Sequence, residues 1–95
     1  YVDNAVQANI LALTTNNTAC CGEAFNIGAG VQTTILEMVN VINKELGFEV
    51  QPIFGEQRAG DIPHSNADIS KAKNMLGYHP KISFEEGMGR LIQKI

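Results

Sequence analysis

Apolar positions recur along this chain at two different periods, and the alternation of those periods sets out its elements. Between residues 2 and 14, Val2, Val6, Ile10 and Leu13 fall near helical spacing, with Ala5, Ala8 and Ala12 among them, which predicts an amphipathic helix. Asp3 sits in its first turn, where the positive end of the helix dipole favours a carboxylate. The polar stretch Thr14–Glu23 reads as a surface loop. Ala24–Ile27 is short, apolar and β-prone, and predicts a strand broken by Gly28-Ala29-Gly30. A second helix is expected from Ile35 to Leu46: Thr34 and Glu37 match the S/T-x-x-E capping box, Ile35, Met38, Val39, Ile42 and Leu46 share a face, and Gly47 suits a left-handed residue just past the end. A second strand follows at about Glu49–Phe54. Strand, helix and strand with short joints predict a parallel βαβ unit with a right-handed crossover.

Beyond residue 54 the punctuation changes. Gly55, Gly60 and Pro63 mark a loop across residues 55–67. A third helix is expected over Ile69–Leu76, capped by Asp68 and ended by Gly77, and Pro80 bars helix at His79. The last helix starts after Ser83, whose S-x-x-E with Glu86 is a second capping box. Phe84, Met88, Leu91 and Ile95 form its stripe. Gly87 and Gly89 each cost about 1 kcal/mol of helix propensity relative to Ala, a cost close packing would offset. The fold class is therefore α/β, a small parallel βαβ core with flanking helices.

Composition narrows the choices. Ninety-five residues with 44% apolar content suit one modest globular domain. A net charge of −3 with scattered basic residues offers nucleic acid no basic field. No apolar run reaches the ~18–20 residues that span a bilayer, so neither nucleic acid nor membrane is expected as a partner. The two cysteines, Cys20 and Cys21, are neighbours, which disfavours a disulfide between them. They read as free thiols, in keeping with a cytoplasmic setting, and no ligand cluster suggests a metal. Because the chain opens at Tyr1 within an apolar-periodic segment, it reads as a piece of a longer protein.

Two motifs could carry chemistry. Gly28-Ala29-Gly30-Val31-Gln32-Thr33 follows a predicted strand and precedes a helix, as a G-x-G-x-x-G turn does, with Glu56 beyond the second strand where a ribose-binding acid would be sought. Thr33 replaces the third glycine, so a plain strand-to-helix turn stands beside a dinucleotide-binding module at Gly28–Thr33. The second motif is Arg58-Ala59-Gly60-Asp61, with His64 and Ser65 close behind. A guanidinium can grip a diphosphate with paired hydrogen bonds, a carboxylate three residues on can accept from sugar hydroxyls, and a glycine between them lets backbone approach. The same pair could form an exposed ion pair worth under about 1 kcal/mol.

At this point the residues match a pattern. Arg58-Ala59-Gly60-Asp61-Ile62-Pro63-His64-Ser65, then Ala67-Asp68-Ile69-Ser70-Lys71-Ala72 and Leu76-Gly77-Tyr78-His79-Pro80, resemble the C-terminal lobe of the extended short-chain dehydrogenase/reductases. The branch is that of nucleotide-sugar 4-epimerases, the enzymes acting on UDP-glucose, UDP-galactose or UDP-N-acetylglucosamine. Tyr1-Val2-Asp3-Asn4-Ala5 and the Gly22–Gly30 segment resemble further motifs of the family, in the right order over nearly the whole chain.

The resemblance implies that Arg58 contacts a UDP diphosphate, Asp61 the uridine ribose and Phe25 the uracil region, with His64 a further candidate. Asp3, Asn4, Asn26 and Asp68 would be structural. It implies a lobe, residues 1–95, of an NAD-binding Rossmann-type epimerase that interconverts C4 epimers through a 4-keto intermediate, with a homodimeric parent. The family's catalytic Tyr-x-x-x-Lys is absent here: Tyr1 is followed by Ala5 and Tyr78 by Ile82. The glycine-rich NAD turn is absent too. The resemblance therefore assigns NAD and catalysis to an N-terminal Rossmann domain outside this chain, with no catalytic, cofactor or metal residue within it, and an isolated fragment without activity. A 4,6-dehydratase, decarboxylase or reductase of the same family stays open as the parent.

Overall fold

The computed structural model describes residues 1–95 and contains four α-helices: α1 (Val2–Thr14), α2 (Ile35–Leu46), α3 (Ser70–Leu76) and α4 (Phe84–Lys94), with a 3-10 turn at Thr18–Cys20. Local chemistry explains their ends. At α2 the Thr34 hydroxyl accepts from the Glu37 N–H at 3.1 Å, and the Glu37 carboxylate accepts from the Thr34 N–H at 2.7 Å. Gly47 and Gly77 close α2 and α3 in the left-handed region, at φ +69° and +68°. Asp68 accepts from the Ser70 N–H at 2.9 Å. Only half of the second capping box forms: Ser83 accepts from the Glu86 N–H, while the Glu86 carboxylate turns to Arg90 at 2.6 Å.

The two predicted strands do not form. Ala24–Ile27 and Glu49–Phe54 make no backbone–backbone hydrogen bonds. Their side chains explain why: Val50 is 60%, Phe54 77% and Ile53 98% exposed. Parallel strands persist when neighbours saturate both ladder edges and layers cover both faces, and nothing in this chain supplies either. What bonds these segments have come from side chains. Asn43 Nδ2 donates to the Val50 carbonyl at 2.9 Å, and Lys71 Nζ to the Ala24 carbonyl at 2.9 Å. The βαβ core is thus reduced to α2 between two unpaired segments.

The buried centre lies where α1 meets α3. Ala8, Ile69, Ala72, Leu76 and Tyr78 are buried, with Leu11, Cys20, Phe25 and Ala67 packed against them. Tyr78, fully enclosed, donates its O–H to the Gly28 carbonyl at 2.7 Å. Asn4, also buried, joins the start of α1 to the segment before α4: its amide donates to the Ile82 carbonyl at 2.9 Å, and its oxygen accepts from the N–H groups of Lys81 and Ile82. On α1 the buried face is Asn4–Ala8–Leu11. The apolar stripe read from sequence faces outward, with Val2, Val6, Ile10 and Leu13 between 48% and 86% exposed. A second packing centre pairs α2 with α4. There Gly89 faces the Glu45 carboxylate, while elsewhere on α4 Gly87 lies so close to Tyr1, at the start of α1, that an added Cβ would sit 2.7 Å from the Tyr1 Cβ.

The molecule is broad and thin, 50 × 34 × 18 Å, with a radius of gyration of 16.7 Å against about 12 Å for a compact chain of this length. Its accessible surface of 7486 Å² exceeds by roughly 2,000 Å² what its 10.3 kDa would expose if compact. No helix is long and apolar enough to cross a membrane.

Candidate nucleotide site

Arg58–Asp61 forms a tight turn. The Asp61 N–H donates to the Arg58 carbonyl at 3.2 Å, and Gly60 takes φ +87°, the left-handed value such a turn requires at its third position. The turn is closed a second time by a side chain, because Asp61 Oδ2 accepts from the Arg58 N–H at 3.2 Å. The exposed ion pair that spacing allowed is not formed: the ion pairs of this chain are Lys71–Glu23, Arg90–Asp3 and Arg90–Glu86. The Arg58 guanidinium is left without a hydrogen-bonding partner, and Asp61 keeps one carboxylate oxygen free. Both residues are exposed.

His64 follows three residues later and is brought to a second loop. Its Nδ1 lies 2.6 Å from the side-chain nitrogen of Gln32. Gln32 belongs to the Gly28–Thr33 turn, whose glycines the structure explains by packing. An added Cβ at Gly28 would meet the Ala67 Cβ at 3.2 Å, and one at Gly30 would meet the Ile69 Cδ1 at 2.9 Å. The Gly28 carbonyl is bound by Tyr78, and no strand leads into the turn. The residues here do not fit a dinucleotide: the strand its fingerprint needs is missing and the close approaches are filled by side chains. Sequence reasoning passed over Gln32 and Tyr78. The L-G-Y-x-P run carried a signal for Tyr78, since a tyrosine just past a helix-ending glycine is directed back over that helix.

Phe25 is half-buried and packs against the buried centre. Lys71 Nζ lies 5.1 Å from its ring centroid, and with Ala5, Ala8, Ala12, Ile27 and Leu76 it lines an apolar hollow of about 230 Å³ in which none of Arg58, Asp61 and His64 takes part. Beside it, the hydrogen bond from Lys71 and then its positive charge hold the Glu23 carboxyl below the ordinary carboxylate range. Hydrogen bonds from Ser70 do the same for Asp68, whereas burial raises the Tyr78 phenol. Cys20 and Cys21 are free thiols, the first half-buried, the second exposed.

The crystal structure of a UDP-glucose 4-epimerase from Thermotoga maritima, solved with UDP-glucose, superposes on 99% of this chain with a TM-score of 0.82 at 36% identity. The chain is homologous to part of the UDP-glucose 4-epimerases. It is 31% identical over 98% of its length to the Mycolicibacterium smegmatis UDP-glucose 4-epimerase, and 29% identical over 97% to UDP-glucuronic acid decarboxylase 1 of Arabidopsis thaliana. No family model matches it. It spans 29% of the length of the Mycolicibacterium enzyme and 30% of the Thermotoga chain. The all-helical form seen here is thus a region of an epimerase fold, without the strand pairing the sequence suggested.

Proposed function

We propose that residues 1–95 are the substrate-binding lobe of a UDP-sugar 4-epimerase and that the lobe's task is to hold the nucleotide. The observation that carries this is the Arg58–Asp61 turn. Two hydrogen bonds fix its backbone, while its guanidinium and one carboxylate oxygen stay uncommitted. A planar guanidinium suits a diphosphate, and a carboxylate oxygen suits vicinal ribose hydroxyls. Gripping the nucleotide far from the reacting sugar carbon uses binding energy to orient the sugar ring. Homology to epimerases, one of them solved with UDP-glucose, favours this ligand class.

NAD would supply the redox chemistry at the sugar carbon, and its binding belongs to residues outside this chain, since the Gly28–Thr33 turn does not fit it. The similarity to a UDP-glucuronic acid decarboxylase supports a second reading, in which the same grip serves a different reaction. In the complete enzyme, Arg58→Ala is expected to raise the KM for UDP-sugar and weaken inhibition by UDP at least tenfold, and Arg58→Lys to recover only part of the loss. Wild-type KM and wild-type inhibition in Arg58→Ala would overturn the assignment. Assaying the complete enzyme with UDP-glucose and with UDP-glucuronic acid separates the two readings.

A further inference from the structure

The segment carrying Arg58 and Asp61 is poorly anchored. From residue 51 to residue 67, one hydrogen bond reaches the rest of the chain, that between Gln32 and His64. Ala67 at its end packs against the core, but ahead of it packing is sparse: Ile53, Phe54 and Ile62 are 98%, 77% and 74% exposed, and nothing lies within 4 Å of a Cβ built at Gly55 or Gly60. Gln32, by contrast, is fixed from both sides. Four residues before it, buried Tyr78 binds the Gly28 carbonyl; two residues after it, the Thr34–Glu37 box locks the start of α2. The tether therefore runs from the buried centre, through the 28–33 turn, to His64.

The geometry points to Gln32 as a positioning residue of the nucleotide site, one that aligns His64 as a donor to a diphosphate oxygen. With the Gln32 side-chain amide nitrogen set as the donor, the His64 Nδ1 that meets it is the acceptor. An imidazole accepting at Nδ1 carries its proton on Nε2. His64 then presents one N–H, on the edge away from Gln32, to a ligand rich in acceptors and lacking donors, as a nucleoside diphosphate is at its phosphates. The same bond holds the Arg58–Asp61 turn close to the binding geometry before ligand arrives, which reduces the ordering cost of binding. This inference rests on the nucleotide-site reading given above.

The test uses the complete enzyme with UDP as the probe. Selective ¹⁵N-histidine labelling reports the His64 tautomer, with His64→Gln assigning the signal. The expected result is an Nε2–H tautomer in the wild type that gives way to a mixture in Gln32→Ala. UDP affinity should fall roughly three- to tenfold in Gln32→Ala and in His64→Ala, the range for one lost hydrogen bond. The double variant should be no weaker than the weaker single one, because both changes remove the same contact. An Nδ1–H tautomer in the wild type, or fully additive losses, would overturn the inference. So would unchanged affinity in Gln32→Ala while Arg58→Ala weakens binding, with the nucleotide site left standing. Unchanged affinity in Arg58→Ala as well would remove the site itself.

Discussion

Tyr78 shows how much one side chain can hold at the smallest scale. Its ring is fully enclosed and its hydroxyl satisfies the Gly28 carbonyl fifty residues away, so it fixes the root of the turn that carries Gln32. Tyr78→Phe keeps the ring and leaves that carbonyl short of a donor. The complete protein should lose about 1–2 kcal/mol in urea unfolding, and Gln32→Ala, an exposed change, should lose less than half of that. Burial also raises the Tyr78 phenol pKa. The sign follows: the unfolded chain ionises first, so the contribution is complete below the ordinary phenol value near ~10 and is lost as pH rises through the higher folded value. Urea midpoints measured from pH 8 upward should fall more steeply for the wild type than for Tyr78→Phe, and parallel curves would refute this. At the same scale the loop that holds Arg58 and Asp61 was legible in the sequence, because a turn built on Gly60 is local chemistry. The sequence was silent on Gln32, whose partner lies thirty-two residues downstream and has no pattern of its own.

At the level of elements, every helix was legible and neither strand was. Helices satisfy their own backbone, so capping residues and a terminal glycine are enough to place them, as Thr34, Glu37 and Gly47 do for α2. Ala24–Ile27 and Glu49–Phe54 have strand composition, but a strand needs partners that composition cannot supply. The face of α1 was misread for a related reason. Val2, Val6, Ile10 and Leu13 form the more apolar stripe, yet Asn4 and Ala8 are the buried residues, because small side chains let α1 approach α3 closely and Asn4 finds three hydrogen bonds. The two glycines of α4 make a paired test. Gly87→Ala drives a Cβ to 2.7 Å from the Tyr1 Cβ and should destabilise by about 1–3 kcal/mol. Gly89→Ala meets only the mobile end of Glu45 at 3.3 Å and should be neutral or stabilising by up to about 1 kcal/mol of helix propensity. Equal thermal midpoints for the two variants would contradict this account of the contacts α4 makes with Tyr1 and with Glu45 of α2.

For the whole molecule, the excess surface of roughly 2,000 Å² is the size of a substantial protein interface. The exposed stripe of α1 and the bare side chains of residues 48–54 supply much of its apolar part. The isolated 95-residue chain is expected to melt without a sharp transition, to bind a hydrophobic dye, and to show no epimerase turnover whatever the NAD concentration; measurable turnover would place catalytic residues within it. The three hydrogen bonds from Asn4 to residues 81 and 82 have a consequence in time. A ribosome must deliver almost the entire segment before α1 can be latched, since the latch lies 78 positions downstream. Until then α1 can pack only against α3, through Ala8, Ala72 and Leu76, and the outward stripe of Val2, Val6 and Ile10 stays exposed. The Asn4 clasp therefore closes last in chain order, and Asn4→Ala, which leaves the Ile82 carbonyl and two N–H groups without that partner, should destabilise the complete protein by about 1–3 kcal/mol in urea unfolding.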